Sequence, residues 1–113
     1  MNWIELSTPT QLQGIQKDTS NTAYLLYKHS PTCSICSMTK MRIERAWDFA
    51  EEQLKPYFLN VLDHRSLSDE VAHIFDTKHE SPQILLVQNG RSVHQASHFD
   101  IDIKTVRTVL AEL

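Results

Sequence analysis

The chain has 113 residues, of which 41% are hydrophobic, and only two glycines and four prolines. This composition suits one folded domain over residues 1–113 and argues against a disordered or repeat protein. The net charge is -3 and the 11 lysines and arginines are scattered along the chain, so we expect no nucleic-acid partner. No apolar run reaches membrane-spanning length, and the first residues lack a signal-peptide pattern. We therefore expect a cytoplasmic protein with no membrane partner.

The first elements are predicted from a helix cap and an apolar run. Thr8 can cap a helix whose first position is Pro9, where a missing N–H costs nothing. The run from Ala23 to Tyr27 has strand length and is apolar throughout, which is typical of a strand covered on both faces. Ile4 to Leu6 are expected to add a strand at the edge of the sheet.

A long helix is predicted from about Cys33 to Leu54. Its inward face is predicted from apolar residues at helical spacing: Cys36, Ile43, Trp47, Ala50 and Leu54. Met38 and Met41 are expected to pack in the core or near the site. Pro56 prevents further helix, and a strand is predicted over Tyr57–Leu62.

The second half of the chain predicts a helix, a hairpin and a last helix. Capping groups for the first of these helices are offered by Ser66 and Asp69. Asn89-Gly90 indicates a tight turn between strands over Gln83–Val87 and Ser92–Ala96, because both residues tolerate positive φ. The last helix is expected to begin after Asp100 or Asp102 and to bury Ile103, Val106, Leu110 and Leu113.

The order of these elements predicts the fold. Helical crossovers between the first strands imply parallel pairing, whereas the hairpin requires an antiparallel pair. The fold expected is a thioredoxin-like three-layer α/β/α sandwich in the α/β class. Its mixed central sheet has four strands, or five if Ile4–Leu6 pairs at the edge, with helices on both faces.

Cys33 is the candidate catalytic nucleophile. It lies where a strand ends and a helix begins, and free backbone N–H groups at such a position favour a thiolate. A thiolate attacks disulfides, so the position favours thiol–disulfide exchange. The alternative is that Cys33 is simply a small residue at a helix cap.

Cys36 completes a C-x-x-C motif one turn later, on the inward face of the helix. It is either a resolving thiol, and so a second catalytic residue, or a buried cysteine that packs as a small hydrophobe. A zinc site is disfavoured because four ligands are needed and there is no second cysteine pair. His64, His79 and His98 are given no catalytic role.

Pro82 precedes a predicted strand. In this fold a proline there is expected to have a cis peptide bond and to face the active cysteine, which leaves the Ser81 backbone free to pair with a substrate. The alternative is an ordinary trans proline at the start of an edge strand.

Several stretches together resemble the monothiol bacilliredoxin family over nearly the whole length. They are Lys28-His29-Ser30 with Thr32-Cys33, Leu62 to Arg65, His79 to Gln83, and Ala96 to Ile101. The family typically reads Thr-Cys-Pro-Ile-Ser at its active site, whereas this chain has Thr32-Cys33-Ser34-Ile35-Cys36. The nucleophile carries over to Cys33, but a cysteine replaces the family's serine.

The resemblance implies a bacterial oxidoreductase that removes bacillithiol from protein mixed disulfides. Its partners would be bacillithiolated proteins, bacillithiol itself and a flavoprotein disulfide reductase, and it would need no bound cofactor or metal. Substrate contacts are expected at Thr32, Ser81 and Pro82. Two alternatives remain open. One is a general protein-disulfide reductase like thioredoxin, although Trp-Cys-Gly-Pro-Cys is absent. The other is a noncatalytic thioredoxin-fold binding module.

Overall fold

The computed structural model describes residues 1–113. Its five strands are β1 (Ile4–Glu5), β2 (Ala23–His29), β3 (Lys55–Asn60), β4 (Gln83–Gln88) and β5 (Arg91–Ser97). Its four α-helices are α1 (Pro9–Lys17), α2 (Ser34–Ala46), α3 (Arg65–Ile74) and α4 (Ile103–Ala111), and a short 3-10 helix covers His98–Asp100. None of these helices is long and apolar enough to cross a membrane.

The strands form one mixed sheet in the order β1-β3-β2-β4-β5. β3 pairs in parallel with both β1 and β2, while β4 runs antiparallel to β2 and to β5. β2 lies at the centre, and the burial of Ala23–Tyr27 is as their continuous apolar run predicted. The strand continues two residues further than predicted, and Lys28 and His29 are buried as well. The predicted edge strand is confirmed as β1, so the sheet has five strands.

Buried side chains cover both faces of the sheet. On one face, α1 and α3 supply Leu12, Ile15, Leu67, Val71 and Phe75. On the other face, α2 and α4 supply Ile43, Ile103 and Val106. The predicted three-layer α/β/α sandwich is therefore confirmed, with both layers held by the burial of apolar surface.

Two local predictions from turn and cap residues are confirmed. Thr8 caps α1 through a full capping box with Gln11. Asn89 and Gly90 have φ of 52° and 75°, as the hairpin turn requires. A Cβ on Gly90 would lie 2.4 Å from the Gln16 carbonyl oxygen, so glycine is required there for space as well as for backbone conformation.

The prediction that α2 continues to Leu54 is wrong. The helix ends at Ala46, and the backbone becomes extended at Trp47 (φ -71°, ψ 117°). Leu54 is still buried, but Ala50 is exposed. The cause is aromatic packing, because the Trp47 ring lies 5.0 Å from Phe49 and 6.4 Å from Trp3 (centroid distances). These contacts draw the chain out of the helix.

Smaller corrections concern helix and strand ends. α3 begins at Arg65 without a side-chain cap, so Ser66 and Asp69 do not serve as its cap. Instead, the side-chain oxygen Oδ1 of Asn60 accepts hydrogen bonds from the backbone amides of Leu62 and Asp63 in the preceding turn, at 3.0 and 3.2 Å. β3 begins two residues earlier than expected, because Lys55 and Pro56 pair with β2. Three apolar residues expected in the core or near the site are exposed: Met38, Met41 and Leu113.

Candidate active site at the start of the second helix

The two cysteines lie where the carboxyl end of β2 leads into α2. A turn after His29 brings the chain round, and the Cys33 amide donates to the Ser30 carbonyl oxygen at 3.1 Å. Cys33 occupies the N-cap position of α2, with extended backbone (φ -107°, ψ 117°). The N–H groups of the first helical turn therefore lie beside its sulfur, as expected from the strand-to-helix position.

Cys33 is half-buried, and its surroundings favour the thiolate. The pKa of Cys33 lies below its ordinary value, mainly because the Cys36 backbone amide lies close to the sulfur. The Cys36 thiol and the Ile35 amide also lower this pKa, while burial opposes the effect. Donors aimed at a sulfur stabilise its charged form, so Cys33 is the more easily ionised of the two thiols.

Cys36 is fully buried, and unlike the surroundings of Cys33, its surroundings favour the neutral thiol. Burial raises the pKa of Cys36, and a nearby Cys33 thiolate raises it further. Two donors oppose this effect, since the Ser81 hydroxyl and the Ser30 amide lie 3.4 and 3.5 Å from the Cys36 sulfur. Both cysteines are free thiols in this structure.

The Ser81–Pro82 segment lies beside the buried thiol. The peptide bond between these residues is cis. Pro82 is buried and its carbonyl oxygen accepts from the His98 amide at 3.0 Å, whereas Ser81 is half-buried with its hydroxyl against Cys36. The fold thus brings Ser81 to the cysteines from 45 residues away in the sequence.

Thr32 lies next to Cys33 in the turn, and its side chain is exposed. Its hydroxyl lies 3.1 Å from the Ser30 hydroxyl and makes no hydrogen bond to either sulfur. No group of three or more histidine, cysteine or acidic side chains is arranged to hold a metal ion.

Sequence reasoning missed two buried residues beneath the turn. The Tyr27 hydroxyl donates to the Cys36 carbonyl oxygen at 2.8 Å and lies 3.2 Å from Nδ1 of His29. Burial raises the pKa of Tyr27 well above its ordinary value, so the phenol stays neutral and can donate. A hydroxyl within an apolar strand was the available signal, because a buried hydroxyl needs a partner.

Comparison with known proteins agrees with this geometry. The sequence profile of the family described as monothiol bacilliredoxin BrxC matches residues 4–106. One solved structure, described as an oxidoreductase with a thioredoxin fold, is 31% identical, with a TM-score of 0.78 over 94% of this chain and 91% of its own.

Two thioredoxins show similarity at the level of the fold. The thioredoxin of Malassezia sympodialis is 13% identical, with a TM-score of 0.75 over 98% of this chain and 90% of its own. The thioredoxin of Trypanosoma brucei brucei is 9% identical, with a TM-score of 0.75 over 98% and 89%. The thioredoxin-like fold is therefore confirmed. The profile match and the 31% identical structure together show that the chain belongs to the monothiol bacilliredoxin family and is a thiol oxidoreductase.

Proposed function

We propose that this chain is a thiol–disulfide oxidoreductase that removes bacillithiol, or a similar small thiol, from protein mixed disulfides. The observation that carries the proposal is the contrast between the two thiols. Cys33 is half-buried, with backbone donors around a sulfur of lowered pKa, whereas Cys36 is fully buried with a raised pKa. Such a pair suits an attacking thiol and a thiol that acts second.

In the first step, the Cys33 thiolate attacks the bacillithiol sulfur of a modified protein. The sulfur–sulfur bond of the mixed disulfide breaks, the target protein leaves as a thiolate that takes up a proton, and Cys33 carries the bacillithiol. Ser81 supports this assignment, because neither its amide nor its carbonyl is used in a backbone hydrogen bond. A substrate backbone can pair there. We propose Thr32 and Pro82 as further substrate contacts.

Two routes can release the adduct from Cys33. A second bacillithiol can attack it, forming bacillithiol disulfide. Alternatively, Cys36 attacks Cys33, the small thiol leaves, and an intramolecular disulfide remains. The second route needs an external reductant, for which we propose a flavoprotein disulfide reductase; neither route requires a bound cofactor. Bacillithiol belongs to bacterial cytoplasm, so we propose that compartment.

The test is mass spectrometry of the protein after incubation with a bacillithiolated model protein. We expect wild type to remove the modification, Cys33→Ser to be inactive, and Cys36→Ser to accumulate the adduct on Cys33. The rate of Cys33 alkylation in the Cys36→Ser variant should rise with pH and then level off. The midpoint of this rise should lie below the pKa of about 8.5 for an unperturbed thiol. Substantial activity of Cys33→Ser would refute the assignment.

A general protein-disulfide reductase is the second candidate, and the presence of Cys36 as a second thiol favours it. The two functions differ in substrate, so insulin reduction should be compared with release of bacillithiol from the model protein. Faster insulin reduction would support the second candidate. An unperturbed Cys33 midpoint together with no activity in either assay would indicate a noncatalytic binding module instead.

A further inference from the structure

Lys28 is a buried cation that the proposed reaction does not use. It lies near the end of β2 and is 0% exposed. It alternates with Tyr27 and so lies on the face of the sheet that packs against α3 rather than on the α2 face. Its Nζ donates to the Ser68 carbonyl oxygen at 3.0 Å and lies 3.1 Å from Nδ1 of His79. No carboxylate lies within 4.0 Å of the ammonium group.

Burying a charged lysine without a paired carboxylate costs free energy, because the ammonium group loses its hydration and gains no ion pair. Burial lowers the pKa of Lys28 to about 8, and the charge of Asp69 only partly opposes this effect. An apolar residue of similar length would fill the space without this cost. The two acceptors therefore indicate that Lys28 has a role other than filling the core.

His79 connects Lys28 to the candidate active site. Because the ammonium donates to Nδ1, His79 is assigned the neutral form with its proton on Nε2. Nδ1 also lies 3.2 Å from the Ser68 hydroxyl. His79 belongs to the proline loop, defined here as residues 78–82, and Ser81 follows it by two residues. Lys28 and His79 are 51 residues apart in the sequence, so their contact joins the central strand to this loop.

The proline loop is fixed at several other points, which makes the Lys28 contact part of a set. The Gln83 side chain donates to the Lys78 carbonyl oxygen at 2.9 Å, and Gln83 is the direct neighbour of Lys28 across β2 and β4. On the outer side, the Ser97 hydroxyl donates to Glu80. These contacts lie on both sides of Ser81 in the sequence, and its hydroxyl is 3.4 Å from the Cys36 sulfur.

We propose that Lys28 and His79 are positioning residues, which hold the proline loop so that the Ser81 hydroxyl donates to the Cys36 sulfur and stabilises its thiolate. The inference rests on the proposed function, because the Cys36 thiolate matters in the release step. There, Cys36 loses its proton and attacks Cys33, and a Cys33–Cys36 disulfide forms as the bond to the small thiol breaks. The small thiol leaves as a thiolate and takes up a proton, so the exchange needs no further oxidant.

The first experiment measures Cys36 alone and does not depend on activity. In a Cys33→Ser background, NMR titration of the carbon-labelled Cys36 side chain gives the midpoint of thiolate formation. We expect Lys28→Met and His79→Leu each to raise this midpoint by about one pH unit. Ser81→Ala, which removes the hydroxyl donor itself, should have the same effect. The reason is that loss of an ordinary hydrogen bond to the thiolate changes its acid dissociation constant by about a factor of ten.

Two variants separate positioning from other effects. His79→Asn keeps an acceptor near the place of Nδ1 and should restore the wild-type midpoint. Leu26→Val, a change at a buried residue on the same strand and face, should leave the midpoint unchanged although it removes core volume. The combination of Lys28→Met with Ser81→Ala should raise the midpoint no further than Ser81→Ala alone, because Lys28 acts through that hydroxyl.

An unchanged midpoint in Lys28→Met and His79→Leu would overturn the inference. So would an additive rise in the double variant, since it would mean that Lys28 acts on Cys36 by a route other than the Ser81 hydroxyl. The second experiment follows the reaction of full-length protein with oxidised bacillithiol by rapid-quench mass spectrometry. Lys28→Met should form the Cys33 adduct at the wild-type rate and release it about threefold more slowly, because the Cys36 thiolate fraction falls about tenfold while the more basic thiolate is the better nucleophile. Failure of wild type to form the adduct would refute the proposed function, while the Cys36 titration still decides the inference.

Discussion

Replacing Lys28 should change how the stability of the protein depends on pH. The pKa of Lys28 is lowered by burial to about 8, whereas the lysine of an unfolded chain titrates at 10.5. Between these values the unfolded chain binds more protons than the folded protein, so the free energy of unfolding rises with pH. Below about pH 8 both states are protonated, and above pH 10.5 both are neutral, so the contribution is constant outside this range.

The magnitude follows from the same two values. Each tenfold change in proton affinity corresponds to about 1.4 kcal/mol, so Lys28 makes wild type about 3 kcal/mol more stable at pH 10.5 than at pH 8. Lys28→Met lacks this titration. The free energy of unfolding of the variant minus that of wild type should therefore fall by about 3 kcal/mol across this range.

Urea denaturation of both proteins at a series of pH values measures this difference. Groups common to the two proteins, including the cysteines and tyrosines, cancel in the subtraction. Leu26→Val serves as the control because it changes no titratable group, so its difference from wild type should stay constant with pH. A Lys28→Met difference that also stays constant between pH 8 and 10.5 would show that the buried ammonium is not destabilised, and would refute the reasoning.

Three further substitutions test the packing and hydrogen bonds around the site by chemical denaturation. Leu86→Ala, at a fully buried position in the core between the sheet and α2, should cost about 3 kcal/mol; a loss below about 1 kcal/mol would contradict the assigned packing. Tyr27→Phe removes the donor to the Cys36 carbonyl oxygen and should cost about 1 kcal/mol, so unchanged stability would mean that this bond contributes nothing. Asp102→Ala removes the side chain that accepts from the Lys104 amide at the start of α4, and should also cost about 1 kcal/mol; a stability equal to wild type would argue against this cap.

The parts of the fold that the sequence predicted well are those set by neighbouring residues. The first five residues of β2, Ala23–Tyr27, are an unbroken apolar run, and their burial on both faces follows from that pattern. Thr8 caps α1, and the Asn89-Gly90 turn closes the hairpin, through contacts within a few residues. The end of α2 was not predictable in this way, because Trp47 keeps the helical spacing yet packs against Trp3 from the far end of the chain. Periodicity cannot distinguish a helix from a loop whose apolar residues are buried by distant partners.

The candidate site likewise contains features set by neighbouring residues, which the sequence predicted, and features set by distant contacts, which it did not. The position of Cys33 at a strand-to-helix junction was readable from local pattern, and its lowered pKa comes from the amides of its own helix. The sequence shows that Lys28 places a charge directly after an apolar strand. It does not show which residue accepts the hydrogen bond from that charge. That partner, His79, lies 51 residues away and was given no catalytic role, because no nearby cluster in the sequence suggested acid–base chemistry. Only the folded chain shows which loop reaches the end of β2.

These contacts also bear on the replacement of the family's serine by Cys36. The side-chain atom at this position lies near two donors, the Ser30 amide at 3.5 Å and the Ser81 hydroxyl at 3.4 Å. Either a hydroxyl or a thiol can accept from such donors, so the pocket suits both residues without rearrangement. A thiolate gains more than a hydroxyl does, because hydrogen bonds to a charged acceptor are the stronger ones. A pocket that hydrogen-bonds a serine is thus already suited to stabilise the thiolate that an intramolecular release step requires.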